Sequence, residues 1–271
     1  MSITAFKREV WDAALVQNFH DNAVVVPTLN NSYEGEVAHG SVVHLTNVTT
    51  PTISAYTGNV TYDDLTDANI DISIDQARQF AFKVKDVDKA QAAGSLDPVT
   101  ADASLAMSED ADAIALTKMI AGGQSLGTTA LTDFASAYAV FTNARTKLRK
   151  AKLPNASRYA LVTPEFSALL LGPDSNLVKV NEYGTDGPIM NGEIGRLLGF
   201  TVLESAVLNA AANTASGVFY YGPMVGFANQ ISEVEALRLQ DDFADGIRGL
   251  HTFGASVVKP AAVQSYIVPA S

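Results

Sequence analysis

The residues able to do chemistry are few and badly spaced for it. Histidine occurs four times, at His20, His39, His44 and His251. His39 and His44 have opposite parity, so one strand carries them on opposite faces, a poor arrangement for a shared metal. Hydrogen-bonded or exposed histidines are the simpler reading. Asp102, Glu109, Asp110 and Asp112 lie close together, but along a helical stretch with no glycosidase-like context, so they read as a solvated face. Gly192, Gly195 and Gly199 imitate a phosphate loop only superficially. Neither GxxxxGK[ST] nor GxGxxG occurs there, and no serine sits in GxSxG. Tight turns before a strand suit those glycines better. The chain has no cysteine, which removes disulfides, thiolate metal sites and cysteine nucleophiles. The sequence thus offers no catalytic constellation, no cofactor site and no metal site.

The totals point the same way. Charged residues make up 17% of the 271 positions and hydrophobic ones 47%. That charge content is low against the usual ~25%, as expected of a surface largely covered by partners. Net charge is −11, without the basic footprint that tight nucleic-acid binding needs. The one basic cluster, Lys147–Lys152, falls where a helix ends and complements its dipole. No apolar run approaches the ~18 residues of a membrane span, and the start resembles no signal peptide.

The positioning elements centre on Asn69–Gly123. Ile70, Ile72, Ile74, Phe80, Phe82 and Val84 all fall on even positions, as in a long half-buried strand with a bend at Gln76-Ala77-Arg78. Asp97 and Pro98 then start a helix that Gly122-Gly123 stops. Its expected stripe is Val99, Ala103, Ala106, Ala113, Leu116 and Ile120. At about 24 residues it would be twice the usual ~11–12, more a spine than one helix of a bundle.

Around this spine the chain is mixed. Thr4 caps a helix with Phe6, Val10, Trp11, Ala14, Leu15 and Phe19 on one face, and Val24–Pro27 leaves it extended. Asn31–Ala68 contains no Lys or Arg and is rich in Thr, Val, Tyr, Asn and Gly, as in a long hairpin that projects and packs elsewhere. Thr132 or Asp133 caps a second helix whose inward residues are Phe134, Tyr138, Phe141, Ala144 and Leu148. Strands are expected at Arg158–Val162, Phe200–Leu203, Val218–Tyr221, Ile231–Gln240, Ile247–Val258 and Ala262–Val268, with a short helix at Thr163-Pro164-Glu165. Without regular βαβ alternation the fold class is α+β.

Four phrases, in order, resemble the major capsid protein of tailed bacteriophages, the Hong Kong 97-type fold. They are FKVKDVDKAQA (Phe82–Ala92) after the even-position strand, LRKAKLPNASRYALVTPE (Leu148–Glu165), NGEIGRLLGFTVLES (Asn191–Ser205) and DFADGIRGLHTFGASVVKPAAV (Asp242–Val263). The resemblance implies an N-terminal arm over residues 1–30 and an extended loop over 31–68. It implies a peripheral domain from 69–122 and 231–271 and an axial domain over 123–230. It further implies pentamers and hexamers closing an icosahedral shell around double-stranded DNA, held without sequence-specific binding and without a membrane. The expected place is the virion, after synthesis in the host bacterial cytoplasm.

Two departures qualify the match. Some members weld subunits through a loop Lys, and this loop has none, so no isopeptide is expected. Some begin with a long scaffolding segment; here the arm begins near Met1, so a separate scaffolding protein is expected, beside a portal and a possible decoration protein. Trp11, Phe19, Tyr33, Tyr56 and Tyr62 are the expected assembly contacts, because aromatics are enriched at interfaces, although ordinary core packing would use the same residues. An encapsulin-type compartment of the same fold and a monomeric α+β ligand-binding protein or enzyme are the competing readings.

Overall fold

The even-position apolar run does form extended chain, but it serves two sheets. The computed structural model describes residues 23–32, 42–48, 51, 53, 55, 58, 62, 67–85, 97–172, 195–208, 215–239 and 243–268. Strand β1 (Val42–Val48) pairs antiparallel with β2 (Asp67–Ser73), and β3 (Gln76–Lys85) starts a different sheet. The break falls at Ile74-Asp75, earlier than the expected bend at Gln76–Arg78. Alternation held across it: Ile72 and Ile74 are buried, Phe80, Phe82 and Val84 half-buried, and Asp71, Ser73, Asp75, Gln79, Ala81 and Lys83 exposed. Periodicity reads which face a side chain takes, not which strand it pairs with.

The sheet of β3 has three strands in the order β3-β10-β9, where β9 is Val225–Arg238 and β10 is Ala244–Val257. All pairs are antiparallel, with a register shift at Thr252/Phe253 opposite Asn229 and Ile231. The shift leaves Gln230 as the extra residue of a bulge, which bends such ribbons. β3 ends just past it, with Gln76 opposite Phe253, and β9 and β10 continue alone to Val225 and Val257.

The spine helix α1 runs Asp97–Gly122, 26 residues, about 39 Å at ~1.5 Å per residue. Its buried face differs from the expected stripe. Ala111, Asp112, Ala115, Leu116 and Met119 are buried, whereas Ala103, Ala106, Ala113 and Ile120 are only half-buried. The cause is that the core meets only the second half of the helix. There it packs with Val25, Leu29, Tyr220, Phe227, Phe253 and Val263.

The largest sheet has six strands in the order β4-β11-β8-β5-β7-β6. These are β4 (Gln124–Gly127), β5 (Arg158–Val162), β6 (Arg196–Leu197), β7 (Phe200–Glu204), β8 (Gly217–Tyr221) and β11 (Val263–Tyr266). Helix α2 (Phe134–Lys150) covers one face. Asp133 is its cap: the carboxylate accepts from Ser136 N at 2.9 Å and Ser136 answers, a reciprocal capping box. The ring of Phe141 meets Phe166, Phe200 and Phe219 edge-on, at 5.7, 6.1 and 4.8 Å between centroids. Short helix α3 (Pro164–Leu170) is capped by Thr163. The glycine-rich phrase turns as expected, with Gly199 at φ +90° between β6 and β7. The sheet includes β11, from the end of the chain that the resemblance groups with the spine.

Candidate assembly interface

Three features lead from the core towards the surface, each built on a residue pattern already described. The first is the exit of the N-terminal segment. Val24, Val25 and Val26 were expected to be extended. Instead Val25 is helical in backbone (φ −88°, ψ −58°) and Val26–Thr28 forms a 3₁₀ turn with Pro27 in its first turn. The reason is Asp112. Its carboxylate accepts from the amides of Val24 at 2.7 Å, Val25 at 3.0 Å and Val26 at 2.9 Å. Successive amides aimed at one point make an anion cradle, and Asp112 is 1% exposed within it. The solvated-face expectation for Asp112 is therefore corrected. Its signal was in the sequence: Asp112, Ala115, Leu116 and Met119 recur at helical spacing on one side.

Two further bonds hold the same segment. Thr28 Oγ1 lies 2.6 Å from Tyr220 Oη, and burial pushes the Tyr220 phenol pKa well up. Asn30 then pairs in parallel with Gly226, donating to Val225 O at 2.9 Å and accepting from Phe227 N at 3.1 Å. Residues 24–30 are thus fixed on α1, β8 and β9.

The second feature is the β1–β2 ribbon. Its base is pinned by Val43, Ile72, Ile74 and Ala228, all buried, with Leu45 against them. Its outer part is not covered: Pro51, Ile53, Ala55, Gly58 and Tyr62 are all exposed, Ile53 by 96% and Tyr62 by 91%. The return strand runs to Ser73, past Ala68, so the hairpin takes in part of the stretch assigned to the spine strand. His44 sits on this ribbon, exposed and hydrogen-bonded to its cross-strand partner Asp71 at 2.6 Å.

The third feature is the free end of the three-stranded sheet. Phe243, in the β9–β10 turn, is 82% exposed, and Val234 and Leu250, further along β9 and β10, are exposed as well. Glu235 holds Arg248 at 2.7 Å across the strands. A cleft of about 330 Å³ lies between Phe82, Ile247, Leu237 and Leu239. Among the described residues that line it there is no His, Asp, Glu or Ser.

Two ion pairs tie the spine helix to β3 and the residue before it. Asp110 pairs with Arg78 at 2.9 Å and Asp75 with Lys118 at 2.8 Å, which lowers the Asp75 pKa. The Lys147–Lys152 cluster does end a helix, α2. Among the described residues no group of His, Asp and Glu could hold a metal, and no helix is long and apolar enough to cross a membrane. Of the expected contact residues, Tyr62 is exposed on the ribbon; Trp11, Phe19, Tyr33 and Tyr56 lie outside the described residues, as do His20 and His39.

This arrangement recurs in solved structures. A chain from Mycobacterium phage Che8 superposes with a TM-score of 0.90, at 31% identity over 98% of both chains. The capsid of cyanophage P-SCSP1u gives 0.82 at 13% identity, covering 100% of this chain and 95% of that one. The mature capsid of bacteriophage PhiM1 gives 0.78 at 14% identity, covering 97% and 92%. The family described as phage capsid protein matches residues 68–266. Comparison of the sequence with curated proteins gives no match.

Proposed function

The chain belongs to the phage capsid protein family, and from that membership we propose that it tiles an icosahedral shell as pentamers and hexamers around packaged double-stranded DNA. It is a structural major capsid protein of a tailed phage with the Hong Kong 97-type fold, and its place is the virion capsid. A phage family sets aside the encapsulin reading and that of a monomeric ligand-binding protein or enzyme.

The finer reading is ours. Residues 1–30 serve as the arm, 31–68 as the extended loop, 69–122 with 231–271 as the peripheral domain and 123–230 as the axial domain. Supporting it is an apolar surplus at two projecting ends, with Ile53 and Tyr62 on one hairpin and Phe243 on the other. Such groups are buried when siblings surround the subunit. Many weak contacts of this kind add up once the lattice closes. Trp11, Phe19, Tyr33, Tyr56 and Tyr62 are the proposed contacts. The net charge of −11 suits a wall that must not grip the polymer it contains, so DNA is held without sequence recognition. A separate scaffolding protein, a portal and a possible decoration protein complete the set of partners, and synthesis takes place in the host bacterial cytoplasm.

Electron microscopy of the chain produced with its scaffolding protein tests this. Closed particles of uniform size are expected, and heterogeneous or no particles without the scaffold. A single monomer peak in size-exclusion under all conditions, with no particles, would sink the shell reading. Uniform shells from this chain alone would sink the scaffold.

A further inference from the structure

Helix α2 carries a surface that its core role does not explain. From Phe134 to Pro164 there is no Asp or Glu, and there are six basic residues: Arg145, Lys147, Arg149, Lys150, Lys152 and Arg158. The other 240 residues hold twelve Lys and Arg against twenty-nine Asp and Glu, a balance of −17. Random mixing would not leave one segment so cationic on so acidic a chain.

The cations are gathered on the side of α2 away from the aromatic core. Tyr138, which turns outward and not inward as the spacing predicts, and Thr142, Arg145 and Arg149 follow one another at helical spacing, all exposed, with Thr146 and Lys150 alongside. Thr142, Arg145, Thr146, Arg149 and Lys150 line one shallow depression. None of the ion pairs among the described residues involves Arg145, Arg149 or Lys150. Arg158, buried below the helix end, donates to the carbonyls of Leu153 and Pro154, both at 2.7 Å. Burial, and then the positive charges of Arg149 and Arg145, lower its pKa, so the cations here repel one another without an acid between them.

We propose that this face of α2 docks on the acidic surface of a second copy of the chain. Charge complementarity favours that occupant: in a shell each subunit is ringed by copies whose other 240 residues carry the −17 excess. The chemistry of the face favours protein over nucleic acid. Thr142 and Thr146 donate their hydroxyls back to the carbonyls of Tyr138 and Thr142, at 3.0 and 2.8 Å, so these groups are already engaged and are not offered to phosphates. An exposed tyrosine beside arginines matches the composition of protein interfaces. Unpaired guanidinium forks are suited to bidentate carboxylates.

The inference rests on the shell reading above, and the test separates the two. Shells purified from infected cells are treated with a carbodiimide, which joins amines to carboxylates in direct contact, and the peptides are mapped. Expected are links from Lys147, Lys150 or Lys152 to Asp or Glu that appear in shells and are absent from subunits dissociated beforehand. In parallel, the triple variant Arg145→Glu, Arg149→Glu, Lys150→Glu, all at exposed positions, is expected to lower particle yield by about tenfold or more while helix content is unchanged. Raised salt during wild-type assembly should lower yield in the same direction. Shells in which Lys147, Lys150 and Lys152 form no such links overturn this inference alone, as does formaldehyde coupling of the peptides that carry them to DNA in their place. Shells that do not contain the chain at all would instead remove the reading beneath it.

Discussion

Asp112 and Val24 stand 88 positions apart in sequence and are joined at 2.7 Å, carboxylate to amide. Val25 and Val26 share the same carboxylate. One side chain on the spine helix therefore sets where the N-terminal segment leaves the body. Asp112→Ala strips three amides of their acceptor, and one buried unsatisfied group alone costs about 1–3 kcal/mol. The expected result is a lower unfolding temperature and faster hydrogen exchange at Val24, Val25 and Val26. Unchanged protection of those amides in the variant would show that something else holds the segment.

A second constraint is steric. A Cβ on Gly254 would lie 2.1 Å from Ser73 O and 2.9 Å from Ile74 Cα, both backbone atoms. Strand β10 thus passes directly under the point where the ribbon enters the main body. Gly254→Ala should destabilise by about 1–3 kcal/mol or more, since backbone cannot give way as a side chain can. Gly172→Ala, whose nearest contacts are at an ordinary 3.5 Å, serves as control. Equal thermal unfolding of the two variants would mean that the crossing is loose.

How much of this was legible in the sequence varies with the physics of each element. Ile72 and Ile74 announced their burial by parity, and Asp133 its cap by the residues that follow it. The partners of β2 and β3 were not readable, because pairing is settled by distant strands. Asp112 was misread for the opposite reason. Its local signal was present, but a carboxylate on an apolar stripe makes sense only when its acceptor role is known, and the donors are far away at Val24–Val26. Tyr62 could be named as a contact but not distinguished from core until its exposure was seen.

The ribbon gives a third prediction. Tyr62 is 91% exposed in the single chain, so Tyr62→Ala removes nothing from the subunit's own core. Subunit stability should stay within about 0.5 kcal/mol of wild type, as for most surface changes, while shell yield falls. If unfolding and particle counts both match wild type, Tyr62 is not a contact.

Acid should weaken the sheet at His251. Its ring is half-buried against Phe253, at 4.6 Å between centroids. Burial holds its pKa below the usual 6.5, against the opposing pull of Asp110. Arg78, its register partner on β3, pairs with that same Asp110. The unfolded chain therefore takes up the proton first. The neutral ring's contribution to stability is complete above 6.5 and is lost as pH falls from there through the lower folded value. Denaturant midpoints at pH 7.5 and 5.5 should differ more for wild type than for His251→Gln. Equal differences would mean that the ring titrates as if free.

The last prediction concerns what holds a finished shell. A covalent weld between subunits needs a nucleophile, and residues 31–68 contain no Lys. A disulfide needs thiols, and the chain has no Cys. With no thiol in the chain and no lysine in that loop, cohesion is expected to come from buried area and charge, which yield to detergent and heat. Mature shells boiled in denaturing detergent, without reductant, should run as one band near 28.6 kDa. A ladder of multiples would require a bond from a lysine elsewhere, and peptide mapping of the ladder would identify it. Reversible joints of this kind should also let raised salt loosen shells below their unfolding temperature, which a welded lattice would not permit.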